Sequence, residues 1–159
     1  MHDNIKKKIN IAAKRQPADL VIKNCKIVNV FTHEIIEGDI AISDGKIAAV
    51  GNYSGEKEVD AEGRYALPGF INSHIHIESS FVSPEEFSRL VVPHGTTTII
   101  ADPHEIVNVC GMDGFDYMVK AGKNAALDIK YMIPSCVPCT PWEHAGAVVD
   151  SKAISEVIN

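Results

Sequence analysis

Apolar and polar residues alternate along the segment ADLVIKNCKIVN, which predicts a β-strand with one buried face. Two more β-rich runs fill residues 38–51 and flank Asp44-Gly45. Asp-Gly between such runs favours a tight hairpin, because both turn positions tolerate positive φ. A shorter extended run follows near residues 58–60. Residues 19–66 are therefore expected to form part of a small β-sandwich.

Beyond residue 66 the pattern changes from hairpins to strands that alternate with helices. The apolar run ALPGFINSHIH predicts a strand that ends in polar, histidine-bearing sequence. A helix is expected next, with Ser83 as its N-cap, Pro84 at the first helical position and Glu86 completing a capping box. This helix should end near Gly95, because glycine accepts the left-handed conformation of a helix cap.

Further elements continue this alternation. TTTIIA and DIKYMIP predict two buried strands, a helix is expected between them over about 113–126, and another helix begins at 150–151. Such an alternation is typical of parallel βαβ units. Residues 67–159 hold at most three units, whereas a closed (β/α)8 barrel typically needs about 250 residues. The predicted fold class is α/β, with an incomplete TIM-type (β/α)8 barrel after the part of the β-sandwich.

Charge is unevenly distributed along the chain. The 159 residues carry a formal net charge of -6, which argues against a nucleic-acid-binding surface. Residues 1–18 are basic, and Ile5, Ile9 and Ala12 or Ala13 predict an amphipathic lead-in helix that Pro17 closes. The sequence shows no apolar stretch of signal-peptide or membrane-span length. We therefore expect a cytoplasmic protein without a membrane partner.

Four cysteines in a chain without a secretory signal indicate reduced thiols. Two of them, Cys136 and Cys139, have the C-x2-C spacing of a redox or zinc pair. A single pair without a second one is weak evidence for either role. Burial, or a place in the lining of a site, is therefore the preferred interpretation of these thiols.

His74 and His76 are the candidate metal ligands. One residue separates them at the end of a predicted strand, so both imidazoles should project from the same face, with Cα atoms about 6.5–7 Å apart. Two neutral imidazoles at this separation can converge on one divalent ion. The carboxyl end of a parallel strand is also where barrel active sites form. For an isolated H-x-H, two surface histidines without a ligand would be the alternative.

Five more residues at predicted strand ends are candidates for catalysis or for lining a pocket. Glu78 is either a partner that orients a ligating histidine or a solvated acid. His104 and Glu105 are expected on a loop after the second barrel strand, either in the pocket or in a local hydrogen bond. Ser135 and Cys136 follow the third strand, where ordinary core packing of Cys136 is the alternative.

The segment DAEGRYALPGFINSHIH resembles the entry segment of the amidohydrolase superfamily, in which a β-sandwich hairpin leads into barrel strand one and its H-x-H ligands. Asn72 stands where many members have aspartate, and this departure leaves both histidines in place. Three stretches, HIESSFVSPEEF (76–87), ADPHEIVNVCG (101–111) and SCVP (135–138), are similar to the adenine deaminases of this superfamily. The resemblance covers about residues 18–140.

The resemblance implies metal-dependent hydrolytic deamination of adenine to hypoxanthine and ammonia, a reaction of purine salvage. It implies manganese or iron rather than zinc, as one ion or as a binuclear centre in the full-length enzyme. The remaining metal ligands and catalytic carboxylates would lie beyond Asn159, so the chain alone is expected to be inactive. A cyclic-amide hydrolase like the dihydroorotases and a non-catalytic, self-associating fragment are the alternatives. The exposed strand edges of an open barrel favour a homo-oligomer.

Overall fold

The computed structural model describes residues 2–158, and the chain divides into two compact units. The first unit ends at Pro68 and the second begins at Gly69. Within residues 2–158, no helix is both long enough and apolar enough to cross a membrane. The helix and strands of the first unit are α1 (His2–Ala12), β1 (Ala18–Asn29), β2 (Glu34–Ser43), β3 (Lys46–Gly51), β4 (Gly55–Asp60) and β5 (Tyr65–Ala66).

The described residues of the first unit form one five-stranded sheet, in the order β3-β2-β1-β4 with β5 beside β1. The strands β1, β2 and β3 are antiparallel neighbours, and β4 and β5 run parallel to β1. The hairpin predicted at Asp44-Gly45 is confirmed, since these residues have φ values of 50° and 69°. A sandwich requires a second sheet facing this one, so the sandwich stays a prediction.

Helix α1 is confirmed, but it buries less of its apolar surface than the sequence suggested. Ile11 is fully buried against the sheet, whereas Ile5 and Ile9 are 53% and 56% exposed. The helix also ends at Ala12, before Pro17. The expected stripe of Ile5 and Ile9 is therefore wrong, because apolar burial is confined to the last turn of the helix.

A buried carboxylate, Asp39, connects three segments of the first unit. Its side chain is 8% exposed. It accepts hydrogen bonds from Lys23 Nζ (2.6 Å), the Asn24 N–H (3.1 Å) and the Tyr53 N–H (3.2 Å). Burial alone would raise the pKa of this carboxyl, but the hydrogen bonds from Lys23 and the two amides outweigh burial and lower the pKa of Asp39.

Asp39→Ala is expected to destabilise the first unit by about 2 kcal/mol, because the substitution leaves two amide hydrogens without an acceptor and removes the carboxylate partner of the part-buried Lys23 ammonium, which keeps only the Tyr53 carbonyl. The pKa of Asp39 is lower in the folded state, so its stabilising effect is fully present above its ordinary pKa of about 4 and is lost as pH falls through the folded pKa. Urea unfolding at pH 7 and pH 3, followed by circular dichroism, measures both effects. Glu62→Ala is the exposed control, and equal stability of Asp39→Ala and wild type at pH 7 would contradict the expectation.

The second unit is a three-stranded parallel sheet in the order β6-β7-β8, with helices between its strands. The predicted parallel βαβ arrangement is confirmed, while closure into a barrel stays a prediction. Ile77 and Ile99 are fully buried in its core, beside Phe87 and Met118. Its elements are β6 (Phe70–Ile75), α2 (Pro84–Val91), β7 (Thr96–Ala101), α3 (His104–Gly122), β8 (Asp128–Tyr131) and α4 (Ser151–Ile158).

The predicted start and end of α2 are confirmed. The Ser83 hydroxyl accepts a hydrogen bond from the Glu86 N–H (3.4 Å), and Pro84 is the first helical residue. Gly95 ends the 3-10 turn after α2 with a φ of 94°. The Glu86 carboxylate, however, accepts from Arg89 (2.7 Å). One half of the capping box therefore forms, and the other half is replaced by a surface ion pair.

Helix α3 begins at His104 rather than near residue 113. His104 and Glu105, which the sequence placed on a loop, therefore lie in the first turn of a helix. The reason is a break at Gly111, where φ is 61° and ψ is -144°. This break splits α3 into two segments, and glycine has a low helix propensity, so the residues before Gly111 were not predicted as helical. Pro103 is fully buried immediately before the helix and fixes its start.

Candidate metal centre

The side chains of His74 and His76 converge at the carboxyl end of β6. The register of β6 is irregular between Asn72 and Ile75, and Asn72 Oδ1 accepts a hydrogen bond from the His74 N–H (3.1 Å). The two Nε2 atoms lie 3.2 Å apart, and the ring planes meet at 75°. The convergence predicted from the spacing of the two histidines is therefore present, and Asn72 contributes to it.

Asp102 joins the two histidines from the neighbouring strand. Its N–H donates to the Ile75 carbonyl (2.8 Å), which places Asp102 beside the end of β6. One ligand atom each from His74, His76 and Asp102 lies within 4.8 Å of the other two, a spread that suits a shared divalent cation. Sequence reasoning did not select Asp102 as a ligand. Its position directly after β7, at the same edge of a parallel sheet, was the available signal.

Three buried side-chain atoms at the carboxyl ends of these strands make no well-aligned hydrogen bond, namely His76 Nδ1, Glu78 Oε2 and Asp102 Oδ1, although the Glu105 carboxylate lies 3.0 Å from His76 Nδ1. Among the described side chains, those of residues 4–158, they are the only buried nitrogen or oxygen atoms in this condition. Buried polar atoms in folded proteins are nearly always paired, so their concentration at one place indicates a site for a charged ligand. Imidazole nitrogen and carboxylate oxygen together fit a divalent transition metal.

Two glutamates lie next to His76. Glu105 Oε2 is 3.0 Å from His76 Nδ1, and Glu105 Oε1 accepts a hydrogen bond from the Ser79 hydroxyl (3.2 Å). Glu78 Oε1 accepts from the Ile106 N–H (3.3 Å), and burial raises the pKa of the Glu78 carboxyl. Glu105 is therefore the carboxylate close enough to orient the His76 ring, whereas the sequence had suggested Glu78 for this role.

Two of the remaining candidates, His104 and Cys136, form a second group with Cys139. Ligand atoms of His104, Cys136 and Cys139 lie within 4.8 Å of one another, and His104 Nδ1 is 4.0 Å from Asp102 Oδ2. Cys136 is exposed, which excludes the core packing considered as its alternative. Cys139 was not selected as a site residue, although its spacing from Cys136 was the available signal. Ser135 is also exposed, and its place in a pocket stays a prediction.

Glu105→Gln is expected to weaken divalent-metal binding at His74 and His76 by about 10- to 100-fold, because a neutral amide orients the His76 imidazole less firmly than a carboxylate does. Titration with Mn²⁺, read by electron paramagnetic resonance of the free ion, measures the affinity. Glu143→Gln replaces an exposed carboxylate and is the matched control. Equal affinity of Glu105→Gln and wild type would show that Glu105 does not act on His76.

The chain is similar to known proteins in sequence. The amidohydrolase family model matches residues 65–158. The chain is 63% identical over 154 residues to adenine deaminase 2 of Desulfotalea psychrophila, and this alignment covers 97% of this chain and 27% of the relative. It is 55% identical over 159 residues to the adenine deaminase of Geobacillus kaustophilus, and this alignment covers 100% of this chain and 28% of the relative. The chain thus spans about a quarter of the length of these relatives.

One solved structure is also similar. It is the N-acyl-D-glutamate deacylase from Bordetella bronchiseptica, complexed with zinc and a phosphonate inhibitor. The two chains are 28% identical with a TM-score of 0.46, over 60% of this chain and 19% of the deacylase. This likeness is too weak to bear on the fold or on the metal.

Proposed function

The chain belongs to the amidohydrolase family, and from this premise we propose that it is the N-terminal part of an adenine deaminase, which converts adenine and water to hypoxanthine and ammonia. The main support for this proposal is the convergence of His74, His76 and Asp102 at the carboxyl ends of β6 and β7. The relatives named adenine deaminase, at 55% and 63% identity, support the choice of substrate.

His74, His76 and Asp102 would hold a divalent ion. Asp102 raises the number of protein ligands from two to three, which is the number that catalytic zinc sites usually have. Imidazole and carboxylate ligands suit manganese, iron and zinc, and we favour manganese or iron, as one or two ions in the full-length enzyme. Such an ion supplies Lewis acidity, which makes water a nucleophile near neutral pH.

The side chains around the histidines have distinct proposed roles. Glu105, 3.0 Å from His76 Nδ1, positions His76 and favours the ring orientation in which Nε2 faces the ion. Deamination also requires a proton for the departing amine, and the unpartnered Oε2 atom of Glu78 is the candidate donor near this edge. His104, Ser135 and Cys136 are proposed to line the pocket for adenine.

For the whole protein we propose a cytoplasmic, homo-oligomeric enzyme of purine salvage that acts on free adenine, without a nucleic-acid or membrane partner. Exposed apolar side chains on β6 support the association. Phe70 and Ile71 are 57% and 67% exposed, and β6 is an edge strand of the three-stranded sheet. An apolar strand at an unpaired edge is stabilised by contact with further strands or with a second copy of the protein.

Ammonia release tests the proposal. The protein is produced at the full length of its relatives and as the 159-residue chain, each supplied with Mn²⁺ and assayed with adenine and with dihydroorotate. We expect hypoxanthine and ammonia from adenine with the full-length protein and no turnover with the chain alone, because the proposed centre needs further ligands and carboxylates. Hydrolysis of dihydroorotate without action on adenine would identify a cyclic-amide hydrolase instead. No turnover of either compound by the full-length protein would favour a non-catalytic, self-associating protein.

A further inference from the structure

A second group of metal-binding side chains lies beside the histidine pair, and the proposed deamination assigns it no chemical step. His104, Cys136 and Cys139 each offer a ligand atom, and these atoms lie within 4.8 Å of one another. Both cysteines are free, exposed thiols, and the side chain of His104 is 22% exposed. His104 comes from α3 and the cysteines from the loop after β8, so tertiary folding brings the group together.

Core packing holds these two segments in place. Val137, between the two cysteines, is 2% exposed, and Val107, one helical turn after His104, is fully buried. Both valines belong to the same apolar cluster. The Val137 carbonyl also accepts a hydrogen bond from the Val149 N–H (2.8 Å). The centre of the C-x2-C loop is therefore anchored against the first segment of α3, while the thiols on either side of it stay at the surface near His104.

The chemistry of these ligands selects a soft or borderline cation. Thiolate and imidazole ligands suit zinc and copper(I), whereas magnesium and calcium prefer oxygen. Zinc bound by two cysteines and one histidine keeps a fourth tetrahedral position for water or another ligand. Zinc bonds of about 2.0–2.3 Å place neighbouring ligand atoms roughly 3.3–3.8 Å apart, so ligand atoms that lie within 4.8 Å of one another would need to approach by about 1.5 Å or less.

We propose that His104, Cys136 and Cys139 form a zinc site distinct from the site of His74, His76 and Asp102. On binding, each thiol releases its proton to solvent as its sulfur bonds the ion, and His104 binds as a neutral imidazole. No electron is transferred. The zinc site goes beyond the proposed deaminase function, because its ion is separate from that of the histidine pair, and His104 and Cys136 would then border the proposed adenine pocket as ligands of this second ion.

The thiol pair is close enough for its two sulfurs to interact. The pKa of the Cys139 thiol is raised, chiefly by its hydrogen bond to Cys136 and then by electrostatic repulsion from Cys136. Two thiolates at this distance repel each other, and a dication removes that repulsion. Oxidation of the pair to a disulfide would need an external oxidant such as dissolved oxygen.

Cobalt(II) is the probe for this site, because thiolate ligands give cobalt a charge-transfer absorption that imidazole and carboxylate ligands do not give. The reduced, metal-free chain is titrated with Co²⁺, and Zn²⁺ is then added. We expect an absorption that saturates at one cobalt per chain and disappears when zinc displaces the cobalt. No thiolate absorption in the reduced wild-type chain would overturn the proposal without any variant.

Substitutions assign the absorption to its ligands. Cys136→Ser/Cys139→Ser is expected to lose the absorption and one equivalent of bound zinc, and His104→Asn is expected to bind cobalt more weakly. Cys110→Ser removes an exposed thiol outside the group and should keep the full signal. Survival of the absorption in Cys136→Ser/Cys139→Ser would overturn the proposal, as would a Cys136–Cys139 disulfide that forms in air and persists in excess zinc.

A further variant distinguishes the two metal sites. His74→Asn/His76→Asn is expected to keep the thiolate–cobalt absorption, because neither histidine is a ligand of this site. Loss of the absorption in that variant, with an unchanged circular dichroism spectrum, would assign both groups to one shared site and overturn the proposal. The cobalt titration does not depend on adenine turnover, so a failure of the deaminase proposal would not change the expected absorption.

Discussion

Replacing His74 and His76 together by asparagine is expected to remove divalent metal from the candidate centre and to lower adenine turnover of the full-length protein by about 10³-fold or more. Asparagine retains polarity but offers no imidazole nitrogen, so Asp102 alone remains of the three converging side chains. A Lewis acid contributes several kcal/mol of transition-state stabilisation, and each ~1.4 kcal/mol changes the rate tenfold. Steady-state formation of hypoxanthine and the metal content of the purified protein measure the two effects.

The matched control replaces two exposed histidines outside the centre, His33 and His94. His33→Asn/His94→Asn is expected to keep its metal content and its turnover, with the same number of histidines removed. Circular dichroism of both double variants separates loss of metal from loss of fold. If folded His74→Asn/His76→Asn protein retains manganese and deaminates adenine at the wild-type rate, the two histidines are not the ligands.

Gly69→Ala is expected to destabilise the second unit by about 3 kcal/mol, because it introduces a steric clash at the start of β6. A Cβ atom at Gly69 would lie 2.0 Å from Thr97 Oγ1 and 2.7 Å from Thr97 Cβ. Rotation of Thr97 moves its Oγ1 atom but not its Cβ atom, and a β-branched side chain has few rotamers available. The backbone around β6 and β7 must therefore separate. Urea unfolding followed by far-ultraviolet circular dichroism measures the change.

Two further variants separate crowding from other causes. Gly63 has a φ of 75°, and nothing lies within 4 Å of a Cβ atom built on it, so Gly63→Ala reports the effect of backbone conformation alone, about 1 kcal/mol. Gly69→Ala/Thr97→Gly removes the clashing side chain and should be nearly as stable as Thr97→Gly. A Gly69→Ala protein as stable as the wild type would show that the strands absorb the clash.

Local signals predicted most of the elements. The turn at Asp44-Gly45 and the N-cap at Ser83 depend on residues adjacent in the sequence, and both are confirmed. The convergence of His74 and His76 follows from the two-residue period of a strand. None of these features requires knowledge of which distant segments pack together, which is why one sequence was sufficient to predict them.

The features that sequence reasoning missed depend on long-range packing. Asp102 meets the histidines because β7 lies beside β6 in parallel. His104 meets the cysteine pair because Val107 and Val137 share one apolar cluster, and no local pattern encodes that contact. Gly111 has a low helix propensity and takes a positive φ inside α3, and this hid the first segment of the helix. Barrel closure and a complete sandwich depend on pairing with further strands, so they remain predictions.

The break at Gly111 divides α3 into two segments, and we expect their backbone amides to exchange hydrogen at different rates. A non-helical residue interrupts the ladder of i to i−4 hydrogen bonds, so the two segments open separately. Phe115 and Met118 are 7% and 2% exposed and make the C-terminal segment the slowly exchanging block. The segment that bears His104 and Glu105 has one fully buried apolar side chain, Val107, and we expect it to open at lower free energy. Bound metal would therefore slow exchange in that segment first, and this local protection would accompany the rise in melting temperature that binding to the folded state produces.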